Sequence, residues 1–251
     1  MLGLFSNQKY RAMKKIFNLA SFPPRYNSLQ ETIASILPQA DEIHVYLNLY
    51  NEVPEFLNHP KITAYLGKDQ YGDIGDVGKF MNCAQWTEPA YIFTCDDDII
   101  FPADYADKCI AAIEKYGRKA VISSHGRTYR KPFEIQDYYR DLLEFHGFTQ
   151  HNPSDAFMHM LGTGVMAFHT DTIKFDLTIF PNINDTDCLF SAHCVKMGIP
   201  RVVIAHPASW LKASNRSSDS SISGYFIRNH QQKTAHANTI PWEVHVCAPV
   251  L

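Results

Sequence analysis

The stretch YIFTCDDDII, Tyr91 to Ile100, decides how this chain is read. An apolar, partly β-branched run ends in three consecutive aspartates, Asp96, Asp97 and Asp98, and apolar character returns at Ile99. Adjacent carboxylates repel one another, and near an apolar core each also loses hydration. A divalent cation would offset that cost. A solvated turn, with Asp capping a helix after Pro102, would avoid it. The choice depends on where this strand end sits among its neighbours.

On the N-terminal side, IFNLASF (16–22) reads as a first strand stopped by Pro23 and Pro24. NSLQETIASIL then places Leu29, Ile33, Ile36 and Leu37 on one helical face, with Asn27 and Gln30 at the spacing of a capping box. EIHVYLNL (42–49) and KITAYL (61–66) are the second and third strands, and GDIGDVGKF is expected to enter a helix continuing through Cys83, Ala84 and Trp86. YIFTC is the fourth strand. A helix carrying Tyr105, Cys109 and Ile113 follows Pro102 and ends at Gly117, and AVISS (120–124) is a fifth strand. Strands alternating with helices of this length predict a doubly wound, mainly parallel α/β sheet. Such sheets bind ligands at the carboxyl ends of their strands. The three aspartates therefore lie at the mouth of a pocket.

From His125 to Met160 the regularity gives way to an aromatic, polar stretch whose centre, QDYYRDLLEF (136–145), has helical character. LGTGVMAFH (161–169) reads as a strand opened by glycines, DTDCLFSAHCVKMG (185–198) as a helix ended by Gly198, and RVVIAH (201–206) as a last strand. Beyond Trp210, the Ser-rich KASNRSSDSSISG (212–224) is too poor in apolar residues to pack and is expected to be mobile. No internal repeat is evident.

With 45% hydrophobic and 20% charged residues among 251, the composition is that of a soluble protein with a substantial core. A net charge of -3 leaves no footprint for nucleic acid. Lys9, Arg11, Lys14 and Lys15 form a short basic stretch, read as a solvated arm with at most peripheral membrane contact. No apolar run approaches the ~18 to 20 residues of a spanning helix. The apolar MLGLF is too short for a secretory signal, so a cytoplasmic location is expected. The six cysteines include no CxxC pair and are expected to be free thiols.

A strand ending in three aspartates, then GTG before a strand, then an acidic DTD opening a helix, then a strand ending in His: this ordered set resembles the GT-A glycosyltransferases, in particular the bacterial family 2-like inverting enzymes. The resemblance spans about residues 16–212. It implies one domain over 1–251, with a nucleotide-sugar half at about 14–124, an acceptor and catalytic half at about 125–212, and a lid and tail at 213–251. By that likeness Asp96 and Asp98 match the DxD motif, in which the last carboxylate binds Mn²⁺ or Mg²⁺ and the first faces the donor ribose or the metal. Charge developing on a nucleoside diphosphate leaving group calls for a hard cation with oxygen ligands. Asp97 points the other way along an extended chain, toward donor hydroxyls.

The resemblance implies roles for further residues. Ser21, Phe22, Pro23 and Arg25 match the loop that holds the nucleotide, with Arg25 on a phosphate or capping a helix. Asp73, Gly75 and Lys79 occupy the segment that contacts base, ribose or phosphate, or else form a Gly-rich turn with a capping Asp. Gly162, Thr163 and Gly164 resemble the strand start lining the donor-sugar and acceptor pocket, where glycine admits close approach; a bulge is the alternative. Asp185 is the expected catalytic base, with Asn184 replacing the family's Glu, and Asp187 is the other candidate; capping is the plain alternative for both. His206 matches a third metal ligand, and Trp210 and Lys212 would close over the diphosphate. The implied reaction transfers a hexosyl or hexosaminyl group from a nucleotide sugar, most commonly a UDP-sugar, to a glycan or glycolipid of the bacterial surface. A sugar nucleotidyltransferase is the rival enzyme, but SFPPR lacks the Gly-rich loop it needs after the first strand. A sugar-binding or assembly protein with a degenerate site is the non-enzymatic alternative, and metal-dependent hydrolysis is a further one.

Overall fold

The computed structural model describes residues 13–83, 86–215 and 230–250. Its first half is built from β1 (Lys14–Ser21), α1 (Tyr26–Ile36), β2 (Glu42–Leu47), β3 (Ile62–Leu66) and β4 (Ala90–Cys95). Every residue of β4 is buried, as a central strand covered on both faces requires. β1 pairs in parallel with both β2 and β4, and Leu19 lies opposite Cys95. The loop after β1 and the aspartates after β4 therefore leave the sheet side by side.

Helix α1 buries Leu29, Ile33 and Ile36, the face its periodicity predicts. The capping box does not form: Arg25 is the N-cap residue, and no side chain caps this helix end. The chain enters through a 3₁₀ turn, Pro23–Arg25, whose prolines set the backbone before Asn27 is reached. Gly75–Phe80 is likewise a 3₁₀ turn rather than the start of a regular helix. Gly75 has φ +54°, and a Cβ at Gly78 would lie 2.7 Å from the Tyr46 ring, so the segment is pressed tightly beneath β2.

After β4 come β5 (Ile99–Ile100), α2 (Tyr105–Lys115), β6 (Val121–Ser123) and β7 (Gly126–Tyr129). The region expected to be helical around 136–145 instead turns back into β8 (Leu142–His146), antiparallel to β7. Asp141 explains the departure. Its Oδ2 accepts the backbone N–H groups of Gln136 and Asp137 at 2.5 and 2.8 Å, closing a turn that competes with helix formation. β9 (Ala156–Phe157), β10 (Met160–Leu161), β11 (Val165–His169), α3 (Thr186–Lys196), β12 (Arg201–Val203), β13 (Lys212–Ala213) and α4 (Gln231–Ala237) complete the described chain.

The main sheet has the order β3-β2-β1-β4-β11-β6-β12-β9. β11 runs antiparallel between β4 and β6, whereas β12 is parallel to β6, so the sheet is mixed and mainly parallel. One apolar cluster, with Phe17, Phe93 and Tyr105, packs α1 and α2 on one face. Another, with Phe80, Phe168 and Phe190, packs α3 on the other. The six cysteines are free, and five are buried. No helix among the described residues is long and apolar enough to cross a membrane.

The segment read as a tail is packed where it is described. Ala237, Ile240 and Trp242 join Tyr129, Tyr138 and Met160 in a third cluster. The Ser-rich stretch read as a mobile lid lies outside the described residues from 216 to 224. Its first serine, Ser214, is buried, and its N–H donates to Asp98 O at 2.7 Å. The basic residues Lys9 and Arg11 also lie outside the described residues, while Lys14 and Lys15 open β1.

The third cluster carries an acid-sensitive contact. His159 Nδ1 accepts the Tyr129 N–H at 3.1 Å, and its ring stacks on Tyr129 and Trp242. Burial and the neighbouring Arg201 charge lower its pKa to about 4. The unfolded side chain titrates near ~6.5, so between these values the unfolded chain binds a proton that the native chain does not. This contribution to stability is complete above the unfolded value and is lost as pH falls toward 4. His159→Asn keeps an acceptor that does not titrate. The variant's denaturant midpoint should fall less steeply than wild type from pH 6.5 to 4; parallel curves would exclude His159 as the source.

Candidate active site

The three aspartates occupy a turn between β4 and β5, at the carboxyl edge of the sheet. The Asp96 N–H donates to Gly164 O at 2.9 Å. A Cβ on Gly164 would lie 2.0 Å from Asp96 Oδ2, so the Asp96 carboxylate fills the space a side chain would take. Lys79 Nζ donates to Asp96 Oδ1 at 2.6 Å, and Arg25 Nη1 pairs with Asp98 Oδ2. Burial opposes the Lys79 charge, but Asp96, Asp76 and Asp187 outweigh it and hold the ammonium charged. Burial and the adjacent Asp96 charge raise the Asp98 pKa against the pull of Arg25. Asp97 is pushed up to about 7, chiefly by burial, with Ser21 and Arg25 pulling it back down.

These groups line a cavity of about 550 Å³. The loop after β1 contributes Ala20, Ser21, Phe22 and Arg25, and the β2 end contributes Asn48 and Leu49. Asp73, Gly75, Asp76 and Lys79 form one side. Thr163, Ile183, Asn184, Thr186 and Asp187 form the wall beside the glycine motif, and Arg127, Tyr139 and Lys233 close the remaining side. Asp187 Oδ1 accepts both the N–H and the hydroxyl of Thr163 at 2.7 Å. Burial pushes its pKa up, but Lys79 and the Thr163 hydrogen bonds prevail and keep it below the usual carboxylate value. Asp187 is therefore ionised at neutral pH, and its Oδ2 has no hydrogen-bond partner among the described residues.

Of the residues singled out by sequence, Ser21, Phe22, Arg25, Asp73, Gly75, Lys79, Asp96, Asp97, Asp98, Thr163 and Asp187 meet at this cavity. Gly164 supports it from behind. Pro23 is not part of the lining, and a Cβ on Gly162 would meet the His125 ring at 2.6 Å, behind the wall. Asp185 is also outside the lining. Its Oδ2 lies 2.7 Å from His236 Nδ1, and its Oδ1 lies 3.9 Å from Lys233 Nζ.

His206 is not brought to Asp96 and Asp98. Its ring nitrogens lie 3.1 Å from Pro207 O and 3.3 Å from Ser124 O, so the ring faces backbone carbonyls. Trp210 donates from Nε1 to Asp104 and stacks against His206. Lys212 pairs its strand with β5 and is exposed. Neither lines the cavity.

The sequence reading passed over Asp76, Asn48, Arg127, Tyr139 and Lys233. Asp76 had a signal in GDIGDVGKF, three residues before Lys79. It accepts the Asn184 N–H at 2.6 Å and bonds Thr186, fastening the start of α3 to the glycine turn. The others come from segments with no motif of their own.

Six carboxylates and four basic side chains share the cavity wall, so a diphosphate would add negative charge to an already acidic site. The Asp96 and Asp98 carboxylates are hard oxygen donors, and burial together with the Asp96 charge raises the Asp98 pKa; a divalent cation fits there and relieves this repulsion. Among the described residues, the cluster of Asp, Glu, His or Cys whose ligand atoms all lie within 4.8 Å is Asp185, Cys188 and His236, away from the cavity lining. Two pocket carboxylates alone would need substrate oxygens to complete a coordination shell.

The sheet order and the site at its carboxyl edge define an α/β fold of GT-A type. By sequence, no protein family and no curated protein matches the chain. Among solved structures it is similar to S. aureus TarS 1–349, with a TM-score of 0.51 at 13% identity over 80% of this chain. It is also similar to S. aureus TarS 1–349 in complex with UDP-GlcNAc, with a TM-score of 0.51 at 11% identity over 92% of this chain. The chain spans 60% of the first of those chains and 68% of the second. At these identities the likeness establishes the fold.

Proposed function

We propose that this protein is a metal-dependent, inverting glycosyltransferase. Its donor is a nucleotide sugar of the UDP class carrying a hexose or hexosamine, and its acceptor is a glycan or glycolipid of the bacterial surface. The observation that carries this reading is a single cavity holding Asp96 and Asp98, their partners Lys79 and Arg25, and the ionised Asp187. The same fold in a solved complex with UDP-GlcNAc supports the donor class.

In this reading Asp96 and Asp98 hold Mn²⁺ or Mg²⁺. The cation supplies charge neutralisation for the departing nucleoside diphosphate. Lys79 and Arg25 position the two carboxylates and add positive charge beside the diphosphate. Asp187, rather than Asp185, is the base, because it is the member of the pair that lines the cavity. It takes the proton from the acceptor hydroxyl, the hydroxyl oxygen forms the bond to the anomeric carbon, and the bond from that carbon to the diphosphate oxygen breaks.

A panel of nucleotide sugars, assayed for nucleotide release with Mn²⁺ and with EDTA, tests the reading. Nucleoside diphosphate should appear with a UDP-sugar and Mn²⁺, and chelator should abolish it. Release that is indifferent to EDTA would remove the metal, pyrophosphate release would point to a nucleotidyltransferase, and no turnover of any donor would leave a binding protein.

A further inference from the structure

Two buried arginines away from the DDD turn differ in one respect. Arg201 is fully buried and donates to the carbonyl oxygens of Met158, His159, Ile199 and Glu243, so its guanidinium is satisfied by the fold. Arg127, 7% exposed, lines the cavity instead. Among the described residues it has no carboxylate within ion-pairing distance, and its polar contact is a long one, 3.5 Å from Nη2 to His125 Nε2. That imidazole is held neutral, its pKa lowered to about 4 by burial and then by the Arg127 charge. A buried charge without a counter-ion is costly and calls for a partner.

Arg127 is also held in place. Its guanidinium carbon lies 5.0 Å from the Tyr138 ring centroid and 5.5 Å from that of Tyr139. Lys233, reaching in from α4, places its Nζ 5.6 Å from the same Tyr138 ring while keeping Asp185 at 3.9 Å. Two cations thus share one buried aromatic ring at the cavity, and neither takes part in the Arg25–Asp98 or Lys79–Asp96 pair. The fold accepts their mutual repulsion there, and the space before them is the cavity.

We propose that Arg127, assisted by Lys233, is a subsite for an anionic group, a carboxylate or phosphate, on the sugar substrate. This rests on the glycosyltransferase reading and narrows it: one of the two sugars brought together carries a negative charge. Arg127 presents a planar fork suited to a two-oxygen anion. Lys233 adds charge, and because it belongs to α4, the C-terminal segment contributes to substrate selection.

Isothermal titration of the full chain with Mn²⁺ tests this through two matched pairs of probes. UDP-glucuronate is compared with UDP-glucose. With UDP saturating, glucose 6-phosphate is compared with glucose. Wild type should bind one anionic probe about tenfold or more tighter than its neutral counterpart. The pair that shows this says whether the charge rides on donor or acceptor. The ratio should collapse toward one in Arg127→Gln, fall in Lys233→Gln, and be only partly kept in Arg127→Lys, which retains the charge but not the planar fork. If wild type binds UDP but neither pair discriminates, or if Lys233→Gln and Arg127→Gln leave the ratio intact, the subsite is overturned and the nucleotide-sugar reading stands. If UDP itself does not bind, that reading fails and the subsite fails with it.

Discussion

Gly164→Ala is expected to leave the protein folded and to reduce sugar transfer on the order of a hundredfold or more. The added methyl carbon would lie 2.0 Å from Asp96 Oδ2 and 2.2 Å from Asp96 Cγ, distances that no relaxation of Gly164 alone can accommodate. The carboxylate is the free end of a rotatable side chain, so Asp96 turns away rather than the sheet distorting. Turning away breaks the 2.6 Å bond to Lys79 and withdraws one of the two carboxylates proposed to hold the cation. Thermal melting should shift by only a few degrees, whereas UDP-sugar turnover with Mn²⁺ should nearly vanish. Asp96→Ala in the Gly164→Ala background should cost little more, because the carboxylate is already displaced. Full activity in Gly164→Ala would show that the Asp96 position has no part in the chemistry. Loss of fold together with activity would show that Gly164 is needed for β11 itself.

The second large effect separates two aspartates that stand two positions apart. Asp187→Asn keeps the size of the side chain but cannot take a proton, so transfer should fall on the order of a hundredfold or more with donor affinity little changed. Asp185→Asn should act more weakly, since Asp185 faces His236 and Lys233 rather than the cavity. Its effect should appear as lowered stability, because its hydrogen bond to His236 ties α4 to the start of α3. Single-turnover rates with UDP affinities measured alongside distinguish chemistry from binding. A transfer rate that collapses in Asp185→Asn and survives in Asp187→Asn would return the base to Asp185. Activity in both variants, or a product that keeps the donor's anomeric configuration, would remove the single displacement altogether.

The same two residues show where local information ran out. DTDCLFSAHCVKMG announces a helix, and the structure has one from Thr186 to Lys196 ending before Gly198 at φ +67°. Asp185, however, is the N-cap residue with φ -136° and ψ 25°, whereas Asp187 stands in the first helical turn, so their carboxylates leave the backbone in different directions. Which carboxylate faces the cavity is set by the rotation of α3 against the sheet, through buried Leu189, Phe190 and Cys194 on one side and the Asp76 contacts to Asn184 and Thr186 at its start. Neither constraint is local to the motif. His206 failed for a related reason. A strand ending in His was visible, but the bridge between Asn152 and His206 turns the ring onto backbone carbonyls.

What the sequence determined by itself is the set of features written in neighbouring residues. The continuous apolar run before Asp96 requires a strand buried on both faces, and the Pro and Gly punctuation sets where strands and helices stop. Their alternation puts the carboxylates at the carboxyl edge of a mainly parallel sheet, and Ser21, Arg25, Lys79, Thr163 and Asp96 do gather there. Tertiary structure decided the rest. The Arg127, Tyr139 and Lys233 side of the cavity unites β7, the turn before β8 and α4, three segments that carry no motif and meet through the Tyr129–Tyr138–Trp242 cluster and the hydrogen bonds of Tyr138 to Thr234 and of Ile135 to Asn238. The helical pattern at 136–145 yielded to the hydrogen bonds of Asp141, a single side chain whose turn outcompeted the periodicity around it. Apolar pattern specifies which face of an element is buried. The partner it is buried against, and therefore which polar groups end up facing one another, emerges only when distant segments pack.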